Sequence, residues 1–443
     1  MGERAVSADH TYQGRSIAEL NDLLRIQDRV NNAFSGNDSL RRENQACFQL
    51  SLTPLTLTEQ QLANMEALAR LLFSALEKAA LFVISQSRYD DRWTQHRDFT
   101  LLNAAKRRFD PPFFLARFDM ILDDDDGQFK VMEFNPACPV GVCFFHYWRH
   151  FPLSAFPWSD LRSELTRFPF DDQYCFIREL VRIATTTYRA NSPLNVVLAN
   201  DNAGLTLELP LMARCFQELG HRASFQRLDQ LSLRGDRLLD QHDDPIDLIY
   251  YKARAARSTQ RGWWAGELES YADFLTAYQN DLTCIFNPLP GYTVAEDKAM
   301  LAYMRRGDFD GILTEAERLA IRTHIPDTYV SGEWSPGGDK QNDFLVKPRC
   351  GSRGGGIQFG KDCSQPTWED LTQSPDLLTQ RRIRGKPQSV ATSNCGNPEL
   401  TPMTQTISIF MLQGVPMGVW SRVSAADLHN AAAGGAIQAV VIQ

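Results

Sequence analysis

The feature that most constrains the fold is a pair of apolar segments joined by four aspartates and a glycine. It reads ARFDMILDDDDGQFKVMEFNPA and covers residues 116–137. Apolar residues typical of strands recur in both arms, and an Asp-Gly pair between such segments is a strong signal for a hairpin turn. The sequence therefore predicts a β-hairpin that turns near Asp126 and Gly127, with residues 123–126 at its solvated tip.

The position of this turn decides which side chains face one another. Because side chains two residues apart share a face of a strand, Arg117 lies beside Asp119. Glu133 shares a face with Asn135 for the same reason, and the turn places Asp119 opposite Glu133. Two carboxylates and an amide oxygen form a hard ligand set suited to Mg²⁺ held together with phosphates. A polar, solvent-facing side of an edge hairpin is the alternative.

A glycine-rich loop between two predicted strands comes later, in VKPRCGSRGGGIQFG at residues 346–360. Glycines leave backbone N–H groups uncrowded, so such a loop can surround polyphosphate oxygens. Lys347 precedes the glycines on a strand and no helix follows, which excludes a Walker A loop. Taken alone, the stretch is equally typical of a flexible hairpin turn. Cys350 is a further candidate as a nucleophile, although the lysine and glycines already account for the loop.

Helix signals flank these strands. Thr58 and Gln61 form a capping-box pattern at the start of LTEQQLANMEALARLLFSALEKAALFV, whose apolar residues recur at helical spacing. Thr293 and Glu296 predict a cap for a second helix, which would carry Lys298.

The middle of the chain, residues 194–290, alternates predicted strands and helices. This pattern indicates a small Rossmann-like unit with parallel strands. The segment NAGLT after its first strand lacks the three-glycine dinucleotide fingerprint, so NAD binding is not expected. Lys252, Arg254 and Arg257 follow a later strand. They fit either an acidic-substrate site at a strand's carboxyl end or a solvated basic loop.

The histidines are weaker candidates for functional residues. His146 and His150 are four residues apart, but aromatic residues surround them and no glutamate lies between, so a packed helix is favoured over zinc. The pair His429 and Asn430 is a candidate for a late contribution to the active site.

Composition limits the classes of partner. The net charge of −8 argues against nucleic acid and anionic membranes, both of which attract basic surfaces. Nine cysteines without framework spacing indicate a reducing compartment. No signal-peptide pattern and no apolar run of membrane-spanning length is evident, so we expect a cytoplasmic protein.

The motifs also occur in an unusual order. ATP-grasp enzymes usually carry their nucleotide lysines before their E-x-N metal site, whereas here the hairpin precedes Lys298 and Lys347. This order resembles circularly permuted ATP-grasp ligases of the glutathionylspermidine synthase-like group, over roughly residues 110–435. The matching pieces are RFD, EFN, DKAM, VKPRCGSRGGG and GVPMGVWSR.

The resemblance implies a mixed α+β and α/β fold, namely a circularly permuted ATP-grasp domain with an inserted Rossmann-like domain. Residues 1–190 would form one half of the ATP-grasp domain, with a helical N-terminal region and the metal hairpin. Residues 191–290 would form the Rossmann-like domain. Residues 291–443 would supply the other half, with the lysines, the glycine-rich lid and an adenine hinge.

The resemblance also implies roles for individual residues. Arg117 and Arg422 would be catalytic, and two Mg²⁺ ions would be held by Asp119, Glu133 and Asn135. ATP contacts are implied for Lys298, Lys347, Gly351, Ser352, Arg353, Gly354, Gly355, Gly356, Gln380, Arg381, Arg382 and Ile383. Two departures stand out: Val423 follows Arg422 where the family often has glutamate, and Asp297 precedes Lys298 where asparagine is usual.

The implied activity is an ATP- and Mg²⁺-dependent carboxylate–amine ligase that forms an amide through an acyl phosphate and releases ADP and phosphate. Its small-molecule substrates would be amino acids or short peptides of specialised or natural-product metabolism. The alternative is an ATP-grasp phosphotransferase acting on a small molecule or a protein. A non-catalytic binding protein is a third hypothesis, against which the presence of all three metal-ligand candidates and both lysines counts.

Overall fold

A computed structural model describes residues 49–51, 54–86, 111–136, 139, 141–142, 174–200, 208–252, 271–288, 291–330, 332–333, 338–350, 354–394, 397–427 and 435–443. The helices are α1 (Glu59–Ser85), α2 (Cys175–Thr187), α3 (Glu208–Glu218), α4 (Ala272–Gln279), α5 (Ala299–Arg306), α6 (Glu315–His324) and α7 (Gln365–Gln373). The strands are β1 (Gln49–Leu50), β2 (Leu55–Leu57), β3 (Leu115–Leu122), β4 (Phe129–Asn135), β5 (Asn195–Asn200), β6 (Arg222–Arg227), β7 (Ser232–Arg234), β8 (Arg237–Leu239), β9 (Leu248–Lys252), β10 (Cys284–Phe286), β11 (Thr328–Val330), β12 (Phe344–Pro348), β13 (Gln358–Phe359), β14 (Leu377–Arg381), β15 (Gln388–Asn394), β16 (Asn397–Leu412), β17 (Val415–Ser424), β18 (Ala436–Gln438) and β19 (Val440–Ile442). In this described part, no helix is both long and apolar enough to cross a bilayer.

Helix α1 begins where its capping pattern predicts. The Thr58 hydroxyl accepts from the Gln61 backbone N–H at 3.1 Å, and the Gln61 side chain accepts from the Thr58 N–H at 2.9 Å. Both orphan donors are thereby satisfied. The apolar stripe of the helix is buried against the largest sheet and includes Leu62, Met65, Leu68, Leu72 and Leu76.

A seven-stranded mixed sheet joins the two ends of the described chain. Its order is β1-β18-β17-β16-β3-β4, and β15 pairs with the first half of β16. Only β1 and β18 run parallel within it. Two small pairs, the parallel β19 and β2 and the antiparallel β7 and β8, lie outside it.

The predicted hairpin is confirmed as β3 and β4. Asp119 pairs with Glu133 and Arg117 with Asn135, which is the expected register. Gly127 takes a positive φ of 67° at the turn, as an Asp-Gly hairpin requires. The prediction of a solvated tip was wrong for Asp123, which is buried and forms a β-bridge with Gly385, whereas residues 124–126 are exposed.

A four-stranded parallel sheet lies in the middle of the chain, in the order β10-β9-β5-β6. All its strands fall within residues 195–286, and helix α3 packs on β5 and β6. Strands β5, β9 and β10 are buried along their whole length, as expected where both faces of a parallel sheet are covered, whereas the edge strand β6 is polar and partly exposed. Lys252, at the end of β9, is buried and forms an ion pair with Glu208 instead of reaching solvent. Arg254, Arg257 and the NAGLT segment lie outside the described residues.

The third sheet is antiparallel, with the order β11-β14-β12-β13. It carries Lys347 on β12 and Gln380 on β14. The helix predicted to contain Lys298 begins one residue later, at Ala299, after a π-helical turn over Gly291–Ala295. The expected capping position was wrong because the helix begins at Ala299, whose N–H donates to the Asp297 carboxylate.

One buried amide joins the parallel sheet to the hairpin. Asn287, directly after β10, accepts from the backbone N–H groups of Phe114 and Leu115, each at 2.9 Å. Its side-chain NH₂ donates to the carbonyls of Leu115 and Pro136. A single fully buried side chain thus satisfies four backbone groups at the base of β3 and the end of β4.

We expect Asn287→Ala to lower the free energy of unfolding by about 3 kcal/mol, because several buried backbone groups would lose their partner. Urea titration followed by circular dichroism would measure the change. Asn64→Ala on the exposed face of α1 is the control and should change stability by no more than about 0.5 kcal/mol. Equal effects of the two changes would contradict the role given to Asn287.

Candidate active site

A row of polar side chains crosses four neighbouring strands of the large sheet. Ser408 on β16 pairs in register with Asp119 on β3, which pairs with Glu133 on β4. Arg422 on β17 reaches the same row and lies 2.9 Å from Asp119. The polar face of the hairpin that the sequence predicts therefore continues across the sheet onto β16 and β17.

Asp119 is the most heavily bonded carboxylate of this row. Arg117 holds both of its oxygens at 2.8 Å, and the Ser408 hydroxyl donates to Oδ1 at 2.7 Å. The Asn135 amide donates to Oδ2 at 3.2 Å. Burial alone would raise the pKa of Asp119, but Arg117 and Arg422 lower it far below its usual range. With these donors in place, little acceptor capacity remains for a metal ion.

Aromatic rings support both arginines. The Arg117 guanidinium carbon lies 6.0 Å from the ring centre of Phe410 and 5.9 Å from that of Trp420. Arg422 lies 5.6 Å from the Trp420 ring centre. Burial would lower the pKa of Arg117, but Asp119 raises it, so the side chain stays charged. The stacking and the ion pairs together hold both guanidinium planes in fixed orientations.

Glu133 faces Lys298, with 3.1 Å between Lys298 Nζ and Glu133 Oε1. Lys298 is buried, which would lower its pKa, yet the carboxylates of Glu133 and Glu296 raise it. The ammonium group is therefore kept charged. About a quarter of the Glu133 side chain is exposed, at 27%, so this carboxylate can be approached from solvent.

Lys347 reaches the same strand from the third sheet. Its ammonium nitrogen lies 2.7 Å from the Met132 carbonyl oxygen and 2.8 Å from Gln380 Oε1. Burial lowers the pKa of Lys347 to about 7, with the positive charge of Lys298 acting in the same direction and Glu133 opposing it. The two predicted lysines thus meet at Met132 and Glu133, although they come from separate segments.

The glycine-rich segment connects β12 to β13, which confirms the strand–loop–strand pattern. Gly354 and Gly356 take positive φ values of 70° and 78°, and a Cβ at Gly356 would approach Pro348 Cγ to 2.7 Å. Glycine is needed there on both grounds. Gly355 lies in the same turn, whereas Gly351, Ser352 and Arg353 are outside the described residues. Burial raises the pKa of the neighbouring Cys350 thiol to about 12, which does not favour a nucleophile.

The predicted adenine hinge lies at the end of β14. Gln380 is fully buried and donates to the Thr328 hydroxyl while accepting from Lys347. The backbone N–H groups of Arg381 and Arg382 donate to the carbonyls of Asp327 and Asp343. Ile383 follows directly. Gln380 is therefore placed beside Lys347, whereas two of the three hinge N–H groups already have protein partners.

Glu133 and Asn135 are the residues best suited to hold a magnesium ion. Asn135 uses its NH₂ group on Asp119, so its Oδ1 is the atom that could bind a cation. Within the described part of the chain, no three His, Cys, Asp or Glu side chains are grouped to form a metal site. A cation at Glu133 and Asn135 would complete its shell with water and phosphate oxygens, as Mg²⁺ commonly does. The two residues fit that use.

Comparisons with known proteins agree with this architecture. The sequence matches no protein-family model, and no curated protein matches it either. The structure is similar to a glutathione synthetase-like effector from Globodera pallida in its apo form, with a TM-score of 0.63 and 14% sequence identity over 96% of this chain and 97% of that one. The chain has a glutathione synthetase-like fold. A provisionally assigned gamma-glutamylcysteine synthetase from Methylobacillus flagellatus has a TM-score of 0.34 and 11% identity over 85% of this chain and 87% of its own, which is too distant to support an argument.

Several residues of the site were not anticipated from the sequence. Ser408 lies in an apolar strand, and nothing in its surroundings indicates that β16 pairs with β3. Arg349, in contrast, lies two residues after Lys347 and directly follows β12, so its closeness to that lysine in the sequence could have indicated it. Its partner Asp297 was noted only as a departure from a motif. The histidine candidates His146, His150 and His429, together with Asn430, lie outside the described residues.

The lowered pKa of Lys347 predicts a specific dependence of stability on pH. Between about pH 7 and pH 10.5 the unfolded lysine is protonated while the folded one is not, so the unfolded state binds more protons. The free energy of unfolding should therefore rise with pH in this window. Lys347→Met removes the titrating group. The free energy of unfolding of wild type minus that of the variant should therefore increase from pH 7 to pH 10.5 and level off above. Denaturant titration at each pH measures this quantity. If the difference stays constant with pH, the pKa of Lys347 is not lowered in the folded protein.

Proposed function

We propose that the protein is an ATP- and Mg²⁺-dependent carboxylate–amine ligase that forms an amide bond. The observation that carries this proposal is the convergence of Lys298 and Lys347 on Met132 and Glu133. These cations lie beside an Arg117–Asp119–Arg422 cluster in a glutathione synthetase-like fold. Cations directed at one point suit a polyphosphate, and adjacent arginines suit a carboxylate that is being phosphorylated.

The lysines would bind the phosphate groups of ATP. Lys298 pairs with Glu133, so an incoming polyphosphate would offer Lys298 a second anion, and Glu133 could then bind a cation. Lys347 is poised near neutral pH, and a nearby phosphate would favour its charged form. Magnesium, when bound by Glu133 and Asn135, would neutralise charge that develops on the transferred phosphoryl group.

The arginines would act on the substrate carboxylate. The carboxylate attacks the γ-phosphorus of ATP, the bond to the bridging oxygen breaks, and an acyl phosphate and ADP result. An amine then attacks the acyl carbon, and Arg117 and Arg422 stabilise the oxyanion that forms before phosphate leaves. Asp119 would keep both guanidinium groups oriented throughout. The glycine-rich segment would cover the phosphates and restrict access of water to the acyl phosphate.

The reaction class is tested by product analysis with Mg-ATP over a panel of amino acids, amines and short peptides. We expect ADP and phosphate to be released only when a carboxylate and an amine are both present. A stable phosphorylated product without an amine requirement would instead favour the phosphotransferase alternative. Release of AMP and pyrophosphate would exclude the proposed mechanism, and binding of Mg-ATP without any turnover would favour a non-catalytic role.

Glu133→Gln should lower kcat/KM for Mg-ATP by at least about 100-fold, because the amide removes the charge that would bind magnesium and pair with Lys298. Steady-state kinetics at several magnesium concentrations would measure it, and part of the loss should be recovered at high magnesium. Asp125→Asn is the matched control, since this carboxylate lies at the exposed tip of the same hairpin. The control should retain wild-type kinetics. Equal losses would show that the charge of the turn matters.

Asp119→Asn should act on the carboxylate substrate rather than on magnesium. Asparagine keeps the shape but leaves Arg117 and Arg422 without their anion, so we expect kcat to fall by roughly 100-fold. The magnesium dependence of the residual rate should match that of wild type. A large increase in the magnesium requirement would instead make Asp119 a metal ligand, as the sequence alone predicts.

A further inference from the structure

A buried ion pair between Asp297 and Arg349 lies next to both nucleotide lysines in the sequence. Asp297 directly precedes Lys298, and Arg349 follows Lys347 by two residues, directly after the end of β12. Arg349 Nη2 lies 2.6 Å from Asp297 Oδ2 and Nε lies 3.2 Å from Oδ1, a two-pronged contact. The exposed fractions of the two side chains are 9% and 0%.

Backbone hydrogen bonds tie the same two segments together. The Lys298 N–H donates to the Arg349 carbonyl at 3.0 Å, and the Arg349 N–H donates to the Asp376 carbonyl at 2.9 Å. Asp297 Oδ1 also accepts from the Ala299 N–H at 2.9 Å and so caps helix α5. One carboxylate therefore fixes the start of the helix and the edge of the third sheet simultaneously.

The energetics of such a pair favour a geometric role. Removing a carboxylate and a guanidinium from water costs several kcal/mol for each ion, and their attraction commonly offsets this cost without a large surplus. What the pair does supply is a fixed relation between two segments, because a guanidinium fork matches a carboxylate in one plane. The usual asparagine before the lysine could cap the helix equally well, but it could not neutralise Arg349.

We propose that the Asp297–Arg349 pair is a positioning device that sets Lys298 relative to Lys347 before nucleotide binds. Lys298 belongs to the segment that leads into α5, and Lys347 belongs to the third sheet. The pair and its backbone bond join those segments within two residues of each lysine. Both ammonium groups are consequently directed at β4 in the absence of any ligand. This role rests on the proposed function of the site as a nucleotide site.

The test uses two variants and a matched control in the full-length protein. Asp297→Ala removes the link and leaves Arg349 unpaired. The double variant Asp297→Asn with Arg349→Gln replaces the pair by two neutral groups that can still hydrogen-bond. Asp327→Ala is the control, because Asp327 pairs with Arg305 and also joins α5 to the third sheet, but its side chain is 36% exposed.

Two measurements are made on each protein. Calorimetric titration with Mg-ATP gives the dissociation constant, and hydrogen exchange with mass spectrometry reports the backbone around residues 297–300 and 346–350 without nucleotide. We expect Asp297→Ala to weaken Mg-ATP binding by about 10- to 100-fold and to speed exchange in both segments together. The double variant should bind within about threefold of wild type, as should Asp327→Ala.

The outcomes separate this role from the proposed function. If wild type binds no Mg-ATP, the proposed function fails, and joint loss of protection in the two segments alone decides whether the pair links them. If wild type binds but Asp297→Ala binds equally well, or if exchange rises evenly throughout the protein, the positioning role is overturned. The double variant keeps a hydrogen-bonded link between the two segments. If it melts like wild type but binds Mg-ATP as weakly as Asp297→Ala, the positioning role is also overturned, because a preserved link would then not preserve binding.

Discussion

The charge of Asp119 is the constraint on which the rest of the site depends. A carboxylate with 4% of its side chain exposed cannot be hydrated, so the protein must supply its partners. Those partners come from its own strand and from β4, β16 and β17. Since each partner donates to a fixed oxygen, Arg117, Arg422 and Asn135 have little freedom to take other orientations. The site that we propose to bind anions is thus arranged around a buried anion of its own.

The hairpin of β3 and β4 links the three larger sheets. It belongs to the large sheet, the parallel sheet reaches its base through Asn287, and the third sheet reaches β4 through Lys347. Two of these links use backbone carbonyls as acceptors. Side-chain substitutions on the hairpin would therefore leave the Asn287 and Lys347 contacts to those carbonyls in place. Residues of the site can then differ between related proteins while the framework that presents them persists.

The sequence predicts local features of this molecule better than its long-range pairing. The hairpin register, the cap of α1 and the strand–loop–strand pattern around the glycines follow from turn chemistry and alternation, and the structure confirms them. The surroundings of Asp119 could not be predicted, because Ser408 and Arg422 come from strands about 300 residues away in the chain. For the same reason, the start of α5 was predicted too early: Asp297 accepts from the Ala299 N–H and is paired with Arg349, which is 52 residues away in the chain.

The four aspartates that interrupt the hairpin have a structural consequence of their own. Asp123 bridges to Gly385, and the Asp124 N–H donates to the Arg384 carbonyl at 2.9 Å. Both partners lie between β14 and β15, in the segment that leads from the third sheet into the large one, and Lys347 links the same two sheets through the Met132 carbonyl. The aspartates that interrupt the hairpin therefore hold the covalent connection between the two sheets that carry the site.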